Sequence, residues 1–208
     1  MSAKKNKVIT IIGNIGAGKS TLCPLLVKKL QAKLVKADDL YLINPFFPLT
    51  VKDRSRWSLA SDLWFLKERV KIIEKQLAAQ KKTLVVDCGL PMSWIYSHSR
   101  IKSGHYSLDQ WQLYQEFYRY LTAAIPSIDV LIDLTAPPSA LIQRIFQRGR
   151  DYEKKYFDIP YLESIAHSIA EYKKQMLTPA TKTISINTSQ IDLRQPDELL
   201  LLIKSIQS

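Results

Sequence analysis

The chain has 208 residues, 46% of them hydrophobic and 24% charged, which is typical of one globular domain with a substantial core. No apolar run approaches the length needed to cross a bilayer, and the longest one late in the chain, LLLLI at residues 199–203, is far too short, so no membrane-spanning segment is expected. The net charge of +11 invites a nucleic-acid-binding interpretation, but the lysines are scattered in pairs without a recognition motif, so no nucleic-acid or membrane partner is expected.

Two features of the sequence predict a cytoplasmic protein. The basic start MSAKKNK leads directly through VITII into a glycine-rich loop, so cleavage of a signal peptide would remove functional chain. Cys23 and Cys88 lie in apolar surroundings without metal-like spacing, and we expect both to be reduced thiols.

The first predicted element is a buried strand at residues 8–12, followed by the segment GNIGAGKS. The spacing G-x-x-x-x-G-K-S is typical of a loop whose backbone amides cradle the phosphates of a nucleoside triphosphate, backed by the helix predicted at residues 21–30. In such a loop the lysine reaches the β- and γ-phosphates and the serine hydroxyl ligates Mg²⁺. We therefore predict that ATP and Mg²⁺ bind through Gly13, Asn14, Gly16, Ala17, Gly18, Lys19, Ser20 and Thr21.

Acidic residues follow the next two predicted strands. The short second strand, residues 34–36, ends before Asp38 and Asp39, and either acid could take the proton of an acceptor hydroxyl or be a solvated turn residue. The third strand, TLVVD at residues 83–87, is continuously apolar, as in parallel strands covered on both faces. Asp87 at its end is placed like an Mg²⁺-associated acid, with a helix cap or turn as the alternative.

Two helices are predicted around the third strand. The loop NPFFPLT precedes a long helix at about residues 56–80, and Ser107 with Gln110 forms a capping box for another helix. Apolar stripes run along both helices. The first contains Trp57, Ala60, Trp64, Val70, Ile73 and Leu77, and the second contains Leu108, Trp111, Tyr114, Phe117 and Leu121, packed in the core or in a subunit contact.

The second half of the chain continues the alternation of strands and helices. Strands are predicted at residues 130–134 and 183–186, and helices from Pro138, at 161–176 and at 196–205. Such alternation indicates a parallel sheet with helices on both faces, whose ligands bind at the carboxyl ends of the strands. That topology brings the phosphate loop, Asp38, Asp39 and Asp87 to one rim.

The segment RIFQRGRDYE carries three arginines where a helix breaks at Gly149. Arginines on a mobile helix end can neutralise charge that develops on transferring phosphates. Together with the phosphate loop, this segment favours a lid over an exposed basic helix face, with Arg144, Arg148 and Arg150 as catalytic residues.

Taken in order, these segments resemble the deoxynucleoside kinase family, most closely its bacterial deoxyadenosine/deoxyguanosine kinases. The resemblance rests on GNIGAGKST, NPFF, RWSLASDLWFLKER, VVDCG and RIFQRGRDYE and covers nearly the whole chain. It implies one α/β domain over residues 1–208, with a P-loop-containing three-layer fold, a five-stranded parallel sheet and a helical lid at about 144–160. It also implies a homodimer that uses ATP to phosphorylate the 5′-hydroxyl of a purine deoxynucleoside.

The resemblance also assigns acceptor-site residues. The family's catalytic glutamate falls at Asp39, its lid glutamate that contacts the sugar 3′-hydroxyl falls at Glu153, and a sugar-supporting tyrosine falls near Val51. The family's arginine after the third-strand acid is absent, because Cys88 stands there. Arg54, Arg56 and Arg100 are possible substitutes in sequence.

The residue that reads the base in the family falls at Asp62, with Arg69 two helical turns further on. A carboxylate only accepts hydrogen bonds, which matches the two adjacent donors of guanine. The alternative is that Asp62 pairs with Arg69 and serves the fold.

Two other functions remain compatible with the sequence. One is a catalytically weak ATP-binding protein, favoured by the loss of the guanidinium at position 88, and the other is a kinase of the same fold for another small acceptor.

Overall fold

The centre of the molecule is a sheet of parallel strands. The computed structural model describes residues 7–79, 82–150 and 157–208. Five strands lie in the order β2-β3-β1-β4-β5, all parallel, as predicted. They are β1 (Val8–Gly13), β2 (Lys33–Lys36), β3 (Leu84–Asp87), β4 (Val130–Thr135) and β5 (Lys182–Asn187).

The helices cover both faces of this sheet, as the alternating sequence pattern predicts. They are α1 (Lys19–Leu30), α2 (Phe47–Thr50), α3 (Arg54–Ala78), α4 (Leu90–Lys102), α5 (Leu108–Thr122), α6 (Pro138–Arg148), α7 (Ile159–Met176) and α8 (Pro196–Gln207), with a 3₁₀ segment at Asp38–Leu42. Within the described ranges, no helix is both long and apolar enough to cross a membrane.

Two hydrophobic cores lie on opposite faces of the sheet, because successive side chains of a strand alternate between the faces. Ile11 of β1 packs into the core built with α1, α6 and α8. Its neighbour Ile12 packs into the core built with α3, α4, α5 and α7. Both residues are fully buried, which fits strands covered on both sides.

Helix α4 was not predicted from the sequence. Eight of its thirteen residues are buried and only Lys102 is exposed, so it lacks the exposed polar face that gives a surface helix its periodic pattern. Similarly, the loop predicted at NPFFPLT contains the short helix α2, and the acids predicted to end the second strand begin a 3₁₀ segment.

The predicted stripe of α5 lies only partly in the core. Trp111, Tyr114 and Tyr118 are buried, whereas Leu108 and Phe117 are exposed. The buried side of α3 also differs from the prediction because it carries polar residues, among them Asp62 and Arg69. A hydrophobic pattern cannot reveal a helix face that is buried and polar.

Strand register brings the predicted site to one edge of the sheet. In β1 and β3, Ile11 pairs with Asp87, and in β1 and β4, Gly13 pairs with Leu134. The start of the phosphate loop therefore lies beside the ends of both neighbouring strands.

Candidate active site

A cavity of about 700 Å³ opens at the carboxyl ends of the strands. Many of the sequence-predicted residues share it, including those from the phosphate loop, α3 and α6. They are Gly16, Ala17, Gly18, Lys19, Ser20, Thr21, Asp39, Asp62, Arg69, Arg144, Arg148 and Arg150. Gly13, Asn14 and Asp87 are not among its lining residues, although they belong to the same strand ends.

The phosphate loop has the backbone that its glycines predict. Gly18 caps α1 in the left-handed conformation with φ 98°, and a Cβ there would point into open space. Gly13 allows close packing instead, because a Cβ would lie 2.5 Å from the carbonyl oxygen of Leu134. The loop is thus held against β4 at its start and leaves room beside Gly18 at its end.

Lys19 folds back over the loop it belongs to. Its Nζ donates to the carbonyl oxygens of Gly13 at 2.7 Å and of Asn14 at 2.9 Å. The side chain of Asn14 bonds the loop to α7, because its Nδ2 donates to the carbonyl oxygen of Leu162 at 2.7 Å. Asn14 therefore positions the loop with its side chain, while Lys19 lies buried against the cavity.

Arg144 connects the phosphate loop to the end of β5. Its Nη1 donates to the carbonyl oxygen of Gly16 and to Oγ1 of Thr188, and its Nη2 donates to the carbonyl oxygen of Thr188. Arg144 belongs to α6, and these hydrogen bonds hold its guanidinium at the wall of the cavity.

The predicted break at Gly149 is present, with φ 78° at the end of α6. Arg150 follows, and its guanidinium lies 5.4 Å from the ring centroid of Tyr41 in the 3₁₀ segment. The start of the predicted lid therefore contacts the segment that carries Asp39. Glu153 lies outside the described residues, as does the rest of 151–156.

Asp39 is half exposed at the cavity and pairs with Lys36, whose Nζ lies 2.5 Å from Oδ2. The side chain of Asp38 lies outside the described part of the structure. Asp87 contrasts with Asp39 because it is buried at the end of β3, 2% exposed. Burial and the neighbouring Asp87 carboxylate raise the pKa of the Cys23 thiol, so Cys23 stays protonated beside this acid.

Asp62 is a buried acid with three donors on one oxygen. Its Oδ2 accepts hydrogen bonds from Tyr106 at 2.8 Å, from Ser97 at 3.1 Å and from Nε of Arg100 at 3.5 Å. Although burial opposes the charged form, the Asp62 carboxylate raises the pKa of Arg100, and burial beside Asp62 raises the pKa of Tyr106. The Arg100 guanidinium therefore stays charged, with Asp62 as its ion-pair partner.

The predicted alternative pairing of Asp62 with Arg69 is wrong. Arg69 turns instead towards the residues after β3, where its Nη1 donates to Oγ of Ser93 at 2.7 Å. Its Nη2 lies 3.4 Å from Sγ of Cys88. The Arg69 guanidinium thus lies beside Cys88, the position at which the family has an arginine.

The comparisons with known proteins bear on what this cavity does. A family model described as deoxynucleoside kinase matches residues 9–203. The chain belongs to the deoxynucleoside kinase family. It is 32% identical over 158 residues to a deoxyadenosine/deoxycytidine kinase of Bacillus subtilis, covering 72% of this chain and 69% of the relative. It is 26% identical over 189 residues to a deoxyguanosine kinase of the same organism, covering 88% and 87%.

Solved structures show the same fold. Deoxyadenosine kinase from M. mycoides, solved with bound dATP, superposes with a TM-score of 0.80 at 23% identity, covering 98% of this chain and 100% of that one. The same enzyme with bound dCTP gives a TM-score of 0.77 at 22% identity, covering 95% and 97%. The predicted α/β fold is confirmed.

Membership of the deoxynucleoside kinase family confirms that the chain is a phosphotransferase acting on a hydroxyl group. It does not favour the alternative of a catalytically weak binder. Among the arginines suggested as substitutes for the missing one, Arg100 lines the cavity, whereas Arg54 and Arg56 do not. Val51, the position of the family's sugar-supporting tyrosine, is exposed and does not line the cavity. Tyr41 and Tyr161 are among the aromatic residues that do line it.

The sequence pattern missed the part of the site that α4 contributes. Ser93 and Arg100 both line the cavity from this helix, and Ser97 completes the shell around Asp62. Proline at the second position of α4, after Gly89, is the one signal that could have revealed a helix start.

Proposed function

We propose that this deoxynucleoside kinase transfers the γ-phosphoryl group of ATP to the 5′-hydroxyl of a purine deoxynucleoside. The observation that carries the proposal is a single cavity that holds the phosphate loop at one end and Asp39, Asp62 and Arg69 elsewhere in its wall. A triphosphate on the loop and a nucleoside beside it would share that space. The relatives named deoxyguanosine kinase and deoxyadenosine/deoxycytidine kinase support a deoxynucleoside acceptor.

The donor end of the cavity suits a triphosphate. Lys19 can exchange its two carbonyl partners in the loop for the β- and γ-phosphate oxygens, which are stronger acceptors for an ammonium group. Arg148 and Arg150 approach from the end of α6. We assign these cations to stabilising the negative charge of the transferring phosphoryl group.

The residues predicted to hold Mg²⁺ fit that ion. Ser20 is exposed in the cavity and Asp87 ends the adjacent strand, so both offer the oxygen atoms that Mg²⁺ prefers. The described residues contain no cluster of three or more His, Cys, Asp or Glu that could hold a metal alone. Phosphate oxygens and waters would complete the coordination, and the bound ion would neutralise phosphate charge.

We assign the acceptor proton to Asp39. In the transfer, O5′ of the nucleoside forms a bond to the γ-phosphorus while the bond from that phosphorus to the bridging oxygen of ADP breaks. The electron pair of that bond stays on ADP, and the hydroxyl proton passes to the Asp39 carboxylate. Its half-exposed position at the cavity allows a nucleoside to replace water around it.

We also propose that the enzyme is a homodimer and works in the cytoplasm. Both cysteines are free thiols, which fits a reducing compartment. Helix α5 presents Leu113, Phe117 and Tyr120 to solvent at helical spacing on one face. A contiguous exposed apolar stripe of this kind suits a second copy of the chain.

The test is a screen of acceptors with ATP and Mg²⁺, measuring ADP release. All four deoxynucleosides and the four ribonucleosides are compared, with Lys19→Ala as the negative control. The proposal expects Lys19-dependent turnover with a purine deoxynucleoside and formation of its 5′-monophosphate. Turnover only with a different small hydroxyl acceptor, or ATP binding without any transfer, would overturn it.

A further inference from the structure

A second cavity, with a volume of about 180 Å³, lies between the sheet and the helices α4, α5 and α7. Its inner wall contains Thr10 of β1, Val86 of β3 and Leu90 at the start of α4. Pro126 and Thr178 are exposed at its rim, so it opens to solvent between the segments that follow α5 and α7. Among the described residues, none lines both this cavity and the active-site cavity, so the two are separate.

The walls of the second cavity are apolar and uncharged. Most of its lining residues are aliphatic, and none of those that the structure describes is an acid, a lysine, an arginine or a histidine. The active-site cavity differs, because Lys19, Asp62 and Arg100 lie in its wall. A charged ligand in the second cavity would lose its hydration without gaining a counterion, which is strongly disfavoured. The second cavity therefore suits a neutral ligand.

Three buried residues with hydroxyl groups interrupt the apolar wall. Thr10 is 2% exposed, Tyr118 is 5% exposed and Tyr172 is 4% exposed. Burial raises the pKa of Tyr118, and it raises the pKa of Tyr172 to about 12, so both side chains stay neutral and keep their hydroxyl protons. The wall thus offers hydrogen-bonding groups without any charge.

The hydroxyl of Thr10 differs from those nearer the rim. Thr122 donates to the carbonyl oxygen of Tyr118 at 2.7 Å, and Thr181 donates to the carbonyl oxygen of Ile128 at 2.9 Å. In the part of the chain that the structure describes, no hydrogen bond is formed by the Thr10 hydroxyl. A buried hydroxyl without a partner is costly, so a ligand that hydrogen-bonds to Thr10 would be stabilised.

The volume of the cavity sets the size of the ligand. An engineered apolar cavity of about 150 Å³ stays dry and holds one benzene molecule. The 180 Å³ found here therefore fits one six-membered aromatic ring with one small substituent. A buried water needs two to four polar partners, whereas most of this wall offers none, so a ring matches the wall better than a cluster of waters.

We propose that this cavity binds a neutral molecule that has one aromatic ring and one hydroxyl group. The ring packs against the aliphatic wall, and the hydroxyl forms a hydrogen bond with the side chain of Thr10. The inference does not depend on the proposed function, because no lining residue of this cavity belongs to the active-site cavity.

The test uses phenol as the probe and the full chain labelled with ¹³C in its methionine methyl groups. Met176 lines the cavity, whereas Met92 is buried in the core and does not line it. Phenol is expected to shift the methyl resonance of Met176 in a saturable manner, because an aromatic ring alters the magnetic field beside it. The resonance of Met92 serves as the internal reference, and Met176→Leu identifies the signal.

Two further probes test the chemistry of the ligand. Phenol should bind roughly 3- to 10-fold more tightly than benzene, because it gains one hydrogen bond. Benzoate has the same ring with a negative charge and should give no saturable shift. Thr10→Val keeps the shape of the side chain without its hydroxyl, and it should bring the ratio of phenol to benzene affinity close to one. Thr10→Ser keeps the hydroxyl and is expected to retain the preference for phenol.

A variant that fills the cavity locates the binding. Val8 lines the cavity from β1, and Val8→Phe should abolish the shift with both phenol and benzene, because the added ring occupies the space. Val51→Phe makes the same substitution at an exposed position outside both cavities and is expected to behave like the wild type. Circular dichroism checks that each variant is folded. If Val8→Phe fails to fold, the pair Thr10→Val and Thr10→Ser still tests the proposal.

Several results would overturn the proposal. A wild-type Met176 resonance that does not move with phenol would show that the cavity holds water or nothing. A shift that persists in folded Val8→Phe would place phenol elsewhere. Equal affinity for phenol and benzene in the wild type, or binding of benzoate as tight as that of phenol, would contradict the chemistry assigned to the wall. None of these measurements involves turnover, so their outcome is independent of whether the chain phosphorylates a nucleoside.

Discussion

At the scale of single residues, Lys19 shows how a charged side chain can be buried and still available. The residue is 8% exposed, and its ammonium group donates to two carbonyl oxygens of its own loop. In the proposed function, phosphate oxygens take the place of those acceptors.

Lys19→Ala is therefore expected to remove phosphoryl transfer while the domain stays folded. The loss of a charge partner for the β- and γ-phosphates should lower kcat/KM by roughly 100-fold or more. ADP release measures the activity, and circular dichroism confirms the fold. A folded variant with normal turnover would show that the loop does not bind the donor.

Asp39 is half exposed and Asp87 is buried, and we expect their substitutions to have different kinetic effects. Asp39→Asn should lower kcat with ATP binding retained, because only the proton acceptor is lost. Asp87→Asn should raise the Mg²⁺ concentration needed for half-maximal activity, because one carboxylate near the ion is lost. Measuring turnover at varied Mg²⁺ concentration distinguishes these two effects. Equal, mild effects in both variants would show that Asp39 is not the proton acceptor and that Asp87 is not associated with Mg²⁺.

Asp62 is predicted to stabilise the fold more than it selects the base. Its Oδ2 already accepts three hydrogen bonds, so the two-point pairing with guanine inferred from the sequence lacks one of its acceptors. Asp62→Asn leaves Arg100 buried without a counterion and should lower the free energy of unfolding by about 3 kcal/mol. Chemical denaturation measures this, with the exposed Asp109→Asn as control.

The alternative role of Asp62, reading the base, predicts a change in substrate preference instead of a change in stability. If kcat/KM shifts towards deoxyadenosine in Asp62→Gln while stability stays unchanged, the residue reads the base after all.

At the scale of elements, the packing of α4 on α7 contains a titratable aromatic contact. The ring of His98 stacks on Trp94 with centroids 4.7 Å apart, and its Nδ1 lies 2.9 Å from Oγ of Ser168. Burial lowers the pKa of His98, and the positive charges of His167 and Lys102 act in the same direction while Glu171 opposes them. Protonation is therefore less favourable in the folded chain than in the unfolded one.

This lowered pKa predicts how stability depends on pH. Above about 6.5, the ordinary value for histidine, His98 is neutral in both states and the contact is fully retained. As the pH falls below that value the unfolded chain binds the proton first, so the free energy of unfolding decreases. His98→Asn should flatten the decrease measured by denaturation between pH 7 and 5. A profile identical to the wild type would show that other groups cause it.

At the scale of the whole molecule, the exposed stripe on α5 predicts the oligomeric state. Leu113 and Phe117 are 42% and 44% exposed and Tyr120 is 80% exposed, which is unusual for such side chains on one helix face. Phe117→Glu places a charge in the proposed subunit contact and should convert a dimer into a monomer. Light scattering after gel filtration measures the mass.

Gln112→Glu adds the same charge on α5 away from the stripe and is expected to leave the dimer intact. A monomeric wild type would contradict the proposed dimer. A dimer that persists in Phe117→Glu would place the subunit contact away from this stripe.

The architecture could be predicted from the amino-acid sequence, and so could the backbone of the phosphate loop. Alternating apolar strands and helices specify a parallel sheet, because only that topology buries continuous apolar strands on both faces. The phosphate loop is equally local, since eight consecutive residues contain the glycines, the lysine and the serine that its backbone and chemistry require. The break at Gly149 follows from one residue that adopts a positive φ without strain.

The partners of the buried charges on α3 could not be predicted, because they depend on how distant elements pack together. Asp62 and Arg69 share one helix at a spacing that suggested a pair, yet each finds partners on α4, Ser97 and Arg100 for Asp62 and Ser93 for Arg69, that are far away in sequence. Helix α4 left no periodic signal because only Lys102 among its residues is exposed, and apart from the proline near its start nothing in the sequence indicated the helix or its partners. Which arginine pairs with Asp62 depends on distances between elements, and the packing of α3 against α4 sets those distances.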